Sequence, residues 1–173
     1  MQPILRSPAD RQIDPAAPNR PNPMTRKFSR FWALSRPERR VLLVSILLLP
    51  LFWIGLRVRG LARFQAWLNR SPVFARASAS ADELAGIAAL VEVAGNHAPG
   101  PSSCLTRSLL LGWLLRRRGV RSELRIGVRL VQGDFEAHAW VEHEGKPINA
   151  PQGIAIQFVP FDDCKFSKSY SPR

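Results

Sequence analysis

The chain has 173 residues, 46% of them apolar, which suits one folded domain with an extension and excludes a wholly disordered protein. Its two cysteines exclude a disulfide scaffold and a four-cysteine zinc or iron–sulfur site. The formal charge of +12 lies mainly in residues 1–76 (14 Lys and Arg against 3 Asp and Glu), and the nearly neutral remainder (11 against 10) lacks the basic face that a nucleic-acid domain needs.

Residues 1–27 are predicted to form a disordered, proline-rich tail. Six prolines fall within residues 1–24, and the segment has too little apolar material to offset the entropy lost on ordering. It contains neither the apolar stretch nor the small-residue cleavage site of a signal peptide. The ordered pattern begins at Met24-Thr25-Arg26-Lys27-Phe28, so we hypothesise that Met24 is the natural start.

Residues 28–70 are predicted to form an apolar helical region. Its uncharged run, Val41–Leu56, has 16 residues, fewer than the roughly 20 that span a bilayer, and Pro50 would kink it. Helical spacing continues through three further apolar residues, Leu61, Phe64 and Leu68. Two interpretations stay open. The favoured one is a helix docked on the rest of the protein, and the other is a helix at a membrane surface contacted through 39–59.

A linker of small and polar residues at 70–81 leads to a second predicted domain, 82–165. Asp82–Ala94 is predicted to be helical, with Asp82 as its N-cap and Gly95 as its end. The apolar face of this helix is formed by Leu84, Ile87, Ala88 and Val91.

A further helix is predicted at Cys104–Arg118. Pro99-Gly100-Pro101 breaks the chain before it, and one of the two serines that follow is the expected N-cap. Gly119 is the expected residue after its end, and the arginines of its last turn suit the negative end of the helix dipole. Cys104 is therefore expected at a helix N-terminus.

After this helix the hydrophobic period changes to two, which predicts an antiparallel sheet. The four predicted strands are 123–130, 135–143, 146–149 and 154–161, with turns at Gln132-Gly133-Asp134 and Glu144-Gly145. A helix followed by an antiparallel meander gives the α+β class.

Cys104 and His138 are the candidates for nucleophilic chemistry. The positive end of a helix dipole stabilises a thiolate, the nucleophilic form of cysteine, although free cysteines also occur as small buried apolar residues. His138 shares a strand face with Glu136 and Trp140, where it can act as general base for a thiol on a neighbouring helix, or as an ordinary hydrogen-bonded histidine. Zinc is disfavoured, because His138 and His143 point to opposite faces of their strand.

Two runs of residues carry a family resemblance. Cys104-Leu105-Thr106-Arg107 and His138-Ala139-Trp140-Val141-Glu142 resemble transglutaminase-like cysteine peptidases and, more narrowly, the lasso peptide biosynthesis B2 protein family. The resemblance covers residues 82–150, and residues 28–68 more loosely. It implies a transglutaminase-like (papain-like) core, in which the nucleophile helix packs on an antiparallel sheet and an N-terminal helical region precedes it.

The resemblance implies a Cys–His–Asp triad, with Cys104 as nucleophile and His138 as base. Ala150 occupies the position of the family's Asp, so the neighbouring Asn149 is the predicted orienting group, since an amide can hold an imidazole through one hydrogen bond. Three further candidates for that role are Asp134, Asp162 and Asp163. Trp140 is predicted to form a wall of the substrate groove, with a partly buried strand aromatic as its alternative role.

The implied function is a cytoplasmic cysteine peptidase that removes the leader peptide from a ribosomally made lasso precursor, with no metal or cofactor. The backbone N–H of Cys104 is the expected oxyanion donor. Residues 1–80 lack a small β-rich recognition domain, so a separate leader-recognition protein is expected to deliver the precursor. An ATP-dependent lasso macrocyclase is expected to act next.

Two alternatives stay open. One is a catalytically impaired scaffold or an acyl transferase of the same fold, which Ala150 supports. The other is a membrane-surface binding protein led by the basic, apolar N-terminal region, which would not need Cys104. Cys164 has no assigned role, and a reducing cytoplasm disfavours a disulfide between the two cysteines.

Overall fold

The structure, a computed structural model, describes residues 33–73 and 79–160. The chain divides into two units, Met1–Ser35 and Arg36–Arg173, and the elements below lie in the second. Most of the first unit lies outside the described residues, and so does the predicted tail at 1–27 with Met24. Three further residues singled out above also lie outside them: Asp162, Asp163 and Cys164.

Helix α1, Arg36–Leu68, packs against the two helices that follow it. The backbone keeps helical dihedral angles through Pro50 and leaves them at Gly60, which has φ 70° and ψ 167°. Beyond this break Phe64 packs edge-on against Phe52, with ring centroids 5.3 Å apart. The first part of the helix buries one face, formed by Val41, Leu42, Ser45, Leu49 and Phe52. Docking on the rest of the protein, as predicted, is thus observed for one face of α1.

Helix α2, Ala81–Gly95, begins with a capping box. Ser80 Oγ accepts from the backbone N–H of Glu83 (3.2 Å), and Glu83 Oε2 accepts from the backbone N–H of Ser80 (3.0 Å). The prediction of Asp82 as the N-cap was therefore wrong, because the reciprocal Ser80–Glu83 pair satisfies two free N–H groups. Asp82 lies instead in the first turn, where its charge suits the helix dipole.

Helix α3, Cys104–Arg117, begins at the predicted residue and ends one residue before the predicted end, with Arg118 as its C-cap. Ser103 is its N-cap, since its Oγ accepts from the backbone N–H of Thr106 (3.2 Å). Gly119 follows the C-cap residue with φ 77°, the left-handed conformation that favours glycine. The leucines of this helix contact its neighbours on several sides, and four of them are fully buried: Leu109, Leu110, Leu111 and Leu115.

The sheet has four antiparallel strands in the order β3-β2-β1-β4. Their bounds are Glu123–Val131 for β1, Asp134–His143 for β2, Lys146–Pro147 for β3 and Val159–Pro160 for β4. Both hairpin turns place two successive residues at positive φ, which matches the right-handed twist of the strands. Helix α3 packs against β1 and β2, so the predicted α+β class is confirmed.

The predicted fourth strand at 154–161 was largely wrong. Ile154–Gln157 is a short helix, α4, and within the described part of this segment, 154–160, only Val159–Pro160 pairs with β1. A strand would bury Ile154 and Ile156 on the same face, whereas α4 buries Ile154 and leaves Ile156 91% exposed. Ile154 and Phe158, both buried, are four residues apart, which is a helical spacing. The apolar run is nevertheless so short that its sequence does not distinguish a helix from a strand.

The segment after α1 is tied to α3. Ser71 Oγ accepts a hydrogen bond from the indole N–H of Trp113 (3.2 Å), and the ring of Phe52 lies edge-on to that indole, with centroids 5.8 Å apart. These contacts join the two regions predicted at 28–70 and 82–165. The boundaries of the two regions stay predictions.

Candidate active site

Cys104 is the first residue of α3 and is partly exposed. The first N–H groups of a helix have no carbonyl partner within it, so those of Cys104 and Leu105 point out of the helix end beside the thiol. Ser103 and Thr106 fix this end, because their hydroxyl groups share a hydrogen bond of 2.9 Å and Thr106 is fully buried. The thiol is therefore presented from a capped, ordered turn.

Arg107 holds the start of α3 against α2. Its guanidinium donates to Glu92 Oε2 (2.6 Å) and to Asn96 Oδ1 (3.1 Å), both on or next to α2. Its Nε donates to Ser102 Oγ (3.0 Å), in the segment that leads into Cys104. Three hydrogen bonds from one side chain thus fix the approach of the chain to the candidate nucleophile.

Gly95 makes room for this guanidinium. A Cβ at this position would lie 2.3 Å from Arg107 Nε, so a side chain would displace it. Gly95→Ala is expected to lower the free energy of unfolding by about 1–3 kcal/mol, because Arg107 cannot move without losing hydrogen bonds. The measurement is urea denaturation followed by circular dichroism.

Gly86 provides the matched control in the same helix. It is exposed, and a Cβ there would meet no atom within 4 Å. Gly86→Ala is expected to raise the free energy of unfolding by up to about 1 kcal/mol through helix propensity. Equal effects of the two substitutions would contradict the packing account of Gly95.

His138 lies in β2 opposite Gly127 of β1 and is partly buried between aromatic rings. Its imidazole is nearly parallel to the indole of Trp140 (centroids 6.2 Å apart, interplanar angle 15°), and the ring of Phe158 lies at 5.7 Å. Arg129 places its guanidinium 4.7 Å from the centre of the Phe158 ring. Within residues 33–73 and 79–160, the imidazole has no hydrogen-bond partner, and its contacts with side chains are those with these two rings.

Gly127 allows this arrangement. A Cβ on Gly127 would lie 2.7 Å from the Cβ of Phe158 and 3.1 Å from the indole of Trp140. Both contacts are too close, so a side chain here would displace the two rings that pack on His138. The site therefore requires a glycine between Ile126 and Val128. The alternation of apolar and polar residues along this strand does not reveal that requirement.

A chain of hydrogen bonds joins the strand of His138 to the helix of Cys104. Ser108 Oγ, fully buried on α3, donates to the carbonyl oxygen of Ala139 (2.9 Å). Asn149 Nδ2 donates to the same Ser108 Oγ (3.0 Å), and Asn149 Oδ1 accepts from the backbone N–H of Val141 (2.7 Å). We call these residues, Ser108, Ala139, Val141 and Asn149, the helix–strand bridge.

The bridge places the two candidate residues on elements fixed to one another. Ser108 lies four residues after Cys104 in α3, and Ala139 directly follows His138 in β2. No hydrogen bond joins Cys104 and His138 themselves in the described part of the chain. Asn149 was predicted to orient His138, and that role stays a prediction. In the structure the amide of Asn149 is hydrogen-bonded to Ser108 and Val141.

Comparison with known families decides the identity of the fold. Residues 46–160, about two thirds of the chain, match the family model of the transglutaminase-like superfamily. The chain belongs to the transglutaminase-like superfamily. Neither the curated proteins nor the solved structures gave a match. The predicted transglutaminase-like core is thus confirmed, and the superfamily generally includes cysteine-type enzymes, both peptidases and acyltransferases.

In this transglutaminase-like chain, an apolar cluster occupies the surroundings of Ala150. The side chain of Ala150 packs against Trp140, Ile154 and Phe158, the cluster on which His138 stacks. Trp140 is fully buried and donates its indole N–H to Glu142 Oε1 (2.8 Å). The prediction that Trp140 forms a wall of the substrate groove therefore finds no support, because its side chain has no exposed surface.

The remaining histidines of the transglutaminase-like domain are bonded to the backbone. The Nδ1 atom of His143 lies 2.6 Å from the carbonyl oxygen of Arg121, and that of His97 lies 2.8 Å from the carbonyl oxygen of Val93. Among the residues that the structure describes, no three His, Cys, Asp or Glu side chains come together as metal ligands. The expectation of chemistry without a metal stays an expectation.

Sequence reasoning placed Arg107 in a motif but missed its contacts, and it assigned no role to three further residues of this site: Ser108, Gly127 and Phe158. Each contacts residues distant in the chain, so only the assembled fold reveals its partners. Two weak signals were available: a polar Ser108 among the leucines of α3, and a glycine inside a strand, which marks close approach of another group.

Proposed function

We propose that this protein is a cysteine peptidase that removes the leader peptide from a ribosomally made lasso precursor. The observation that carries the proposal is the placement of Cys104 at a capped helix N-terminus that the helix–strand bridge ties to the strand of His138. The resemblance of both motifs to the lasso peptide biosynthesis B2 family supports the narrower substrate assignment.

The proposed reaction begins with transfer of the Cys104 thiol proton to His138. The thiolate attacks the carbonyl carbon at the leader–core junction, and the N–H groups at the start of α3 stabilise the oxyanion that forms. His138, now an imidazolium, protonates the amine of the core peptide as the carbon–nitrogen bond breaks. Water, activated by His138, then hydrolyses the thioester and releases the leader as a free acid.

The aromatic packing of His138 supports this role. Rotation of the imidazole is restricted by Trp140 and Phe158, which lie against the ring. We propose that these contacts replace part of what an Asp at the position of Ala150 would supply.

The proposed partners follow from the substrate. The precursor peptide is delivered by a separate leader-recognition protein, and the freed amine of the core is the nucleophile that an ATP-dependent macrocyclase then uses. The proposed compartment is the cytoplasm, where precursor and cyclase are made.

The test incubates the purified full-length protein with the precursor peptide and the leader-recognition protein, and identifies products by mass spectrometry. We expect one cut, giving two peptides whose masses sum to the precursor plus one water, and faster cleavage when the recognition protein is present. An intact precursor in the presence of folded enzyme and recognition protein would contradict the proposal.

A second candidate function is acyl transfer, which the apolar surroundings of Ala150 favour. With Ala150 in place of the family's Asp, activation of water for hydrolysis of the thioester is weakened, and a stronger amine nucleophile can compete. Adding glycine methyl ester to the same reaction distinguishes the two. A peptidase gives the free leader acid, whereas an acyl transferase gives the leader amide of the added amine.

A further inference from the structure

A continuous stripe of apolar side chains is exposed along helix α1. We call it the α1 stripe; its members, between 48% and 77% exposed, are Leu43, Leu47, Leu51, Ile54 and Val58. Their spacing of three or four residues places them in one line on the helix surface. The line is about 22 Å long at 1.5 Å per residue. An exposed apolar patch of this extent marks an interaction surface.

The opposite face of α1 is occupied by the protein itself. Ser45 and Leu49 lie at the centre of that face and are almost fully buried against the body of the protein. The helix is long and apolar enough to cross a membrane by length and composition. Its docked face, however, is covered by helices α2 and α3, which carry charged side chains. The face of α1 that carries the α1 stripe is therefore the one available to an apolar environment among the described faces of this helix, and it can meet one along a surface.

Arginines bracket the stripe. Arg40 lies on the same line, seven residues before Leu47. Three arginines lie near the other end of the stripe, at Val58: Arg57, Arg59 and Arg63. All four arginines are exposed. Helix α1 as a whole holds six arginines and one glutamate, a net charge of +5. An apolar line with cations at both ends matches the acyl boundary and the anionic headgroups of a bilayer surface.

Tryptophans lie beside these arginines. The Arg57 guanidinium is 5.9 Å from the centre of the Trp53 ring, and that of Arg59 is 5.4 Å from the centre of the Trp67 ring. Trp67 is half-exposed. Tryptophan is enriched at the level of the headgroups, where an apolar ring with one polar atom is best solvated.

An apolar groove continues the stripe. It has a volume of about 350 Å³ and is lined mainly by α1 residues on both sides of Gly60, with Arg59 among them. The stripe contributes Leu51, Ile54 and Val58, and Trp67 and Trp113 line it as well. A groove that is apolar inside and carries a cation can accept part of an acyl chain while its headgroup contacts the arginine.

We infer that the α1 stripe and its groove dock this protein on an anionic lipid bilayer, with α1 lying in the plane of the membrane surface. The inference does not depend on the chemistry of Cys104. It predicts binding that requires both the apolar residues of the stripe and anionic lipid.

The test is flotation of the full-length protein with vesicles of phosphatidylcholine alone or mixed with phosphatidylglycerol. We expect the wild type to float with the mixed vesicles and to bind the neutral ones at least about tenfold more weakly. The double variant Leu47→Glu/Leu51→Glu is expected to bind the mixed vesicles about tenfold less, or weaker still, because two exposed leucines no longer enter the bilayer. Both positions are exposed, so the fold is retained, as circular dichroism would show.

Phe135→Glu is the matched control, because Phe135 is 81% exposed on β2 and lies outside the stripe. This variant is expected to float like the wild type. A wild type that stays at the bottom with both kinds of vesicle would overturn the inference, as would equal flotation of the stripe variant. Light scattering that shows a wild-type dimer and a monomeric stripe variant, without vesicle binding, would instead assign the stripe to a second copy of the chain.

Discussion

Replacing His138 with alanine is expected to lower the rate of leader cleavage by about 10³- to 10⁴-fold. The loss has two sources: the thiol of Cys104 no longer has a base, and the leaving amine no longer has an acid. The apolar packing of Trp140 and Phe158 survives in part, so the variant should remain folded. The measurement is the single-turnover rate of precursor cleavage, followed by mass spectrometry.

His143→Ala is the control for this experiment. His143 is the last residue of the same strand, and its ring is bonded to the carbonyl oxygen of Arg121, which lies just before β1. We expect its cleavage rate to remain within about threefold of the wild-type rate, as for a surface substitution remote from the site. Cleavage by His138→Ala at a rate close to that of the wild type would remove His138 from the mechanism.

The second large effect is expected on stability and rate together, from Ser108→Ala. Ser108 is fully buried, and its loss leaves the carbonyl of Ala139 and the amide of Asn149 without that partner. Unpaired buried polar groups cost about 1–3 kcal/mol each, so the free energy of unfolding should fall by about 2–4 kcal/mol. In folded protein, cleavage should fall by about 10- to 100-fold, because α3 and β2 can shift relative to one another.

Two readouts separate positioning from general destabilisation. If the bridge aligns Cys104 with His138, kcat falls while KM changes little, and the fall persists at temperatures where the variant is fully folded. A double-mutant cycle with Asn149→Ala should be strongly non-additive, since both substitutions break the same network. Additive effects would contradict the bridge, and a folded Ser108→Ala variant with unchanged kcat would confine its role to stability.

Periodicity predicted the parts of the fold where local sequence and tertiary contacts agree. The helix at Cys104–Arg117 has an apolar face, a serine cap and a terminal glycine, and these signals point to the same bounds. The first two strands alternate clearly and have turn residues between them. Each of these elements could therefore be located before its neighbours were known.

The errors arose where two local signals compete. Both Ser80 and Asp82 are good N-caps, and the choice depends on which N–H group the side chain reaches and on Glu83 reciprocating. The segment at 154–161 is a short apolar run, in which the contact of Ile154 and Phe158 with Trp140 selects a helical turn. A local pair of hydrogen bonds made the first choice, and tertiary contacts made the second.

The candidate site was predictable only in its two reactive residues. Motif and spacing singled out Cys104 and His138, but the groups that hold them come from other elements. Arg107 reaches α2, and Ser108 reaches the carbonyl after His138. Trp140 could have been a groove wall or a core residue on sequence alone, and burial decided for the core. The exposed stripe of α1 was hidden for a related reason, since a helix that is apolar all round gives no sign of which face is covered.

The role of Cys104 as nucleophile is tested by comparing precursor cleavage by Cys104→Ala with that by the matched variant Cys164→Ala, each with the recognition protein present. Our account predicts no cleavage product from Cys104→Ala, with a rate at least about 10⁴-fold below wild type, and an unchanged single cut from Cys164→Ala. Continued cleavage at the same junction by folded Cys104→Ala would contradict the account and exclude Cys104 as the nucleophile.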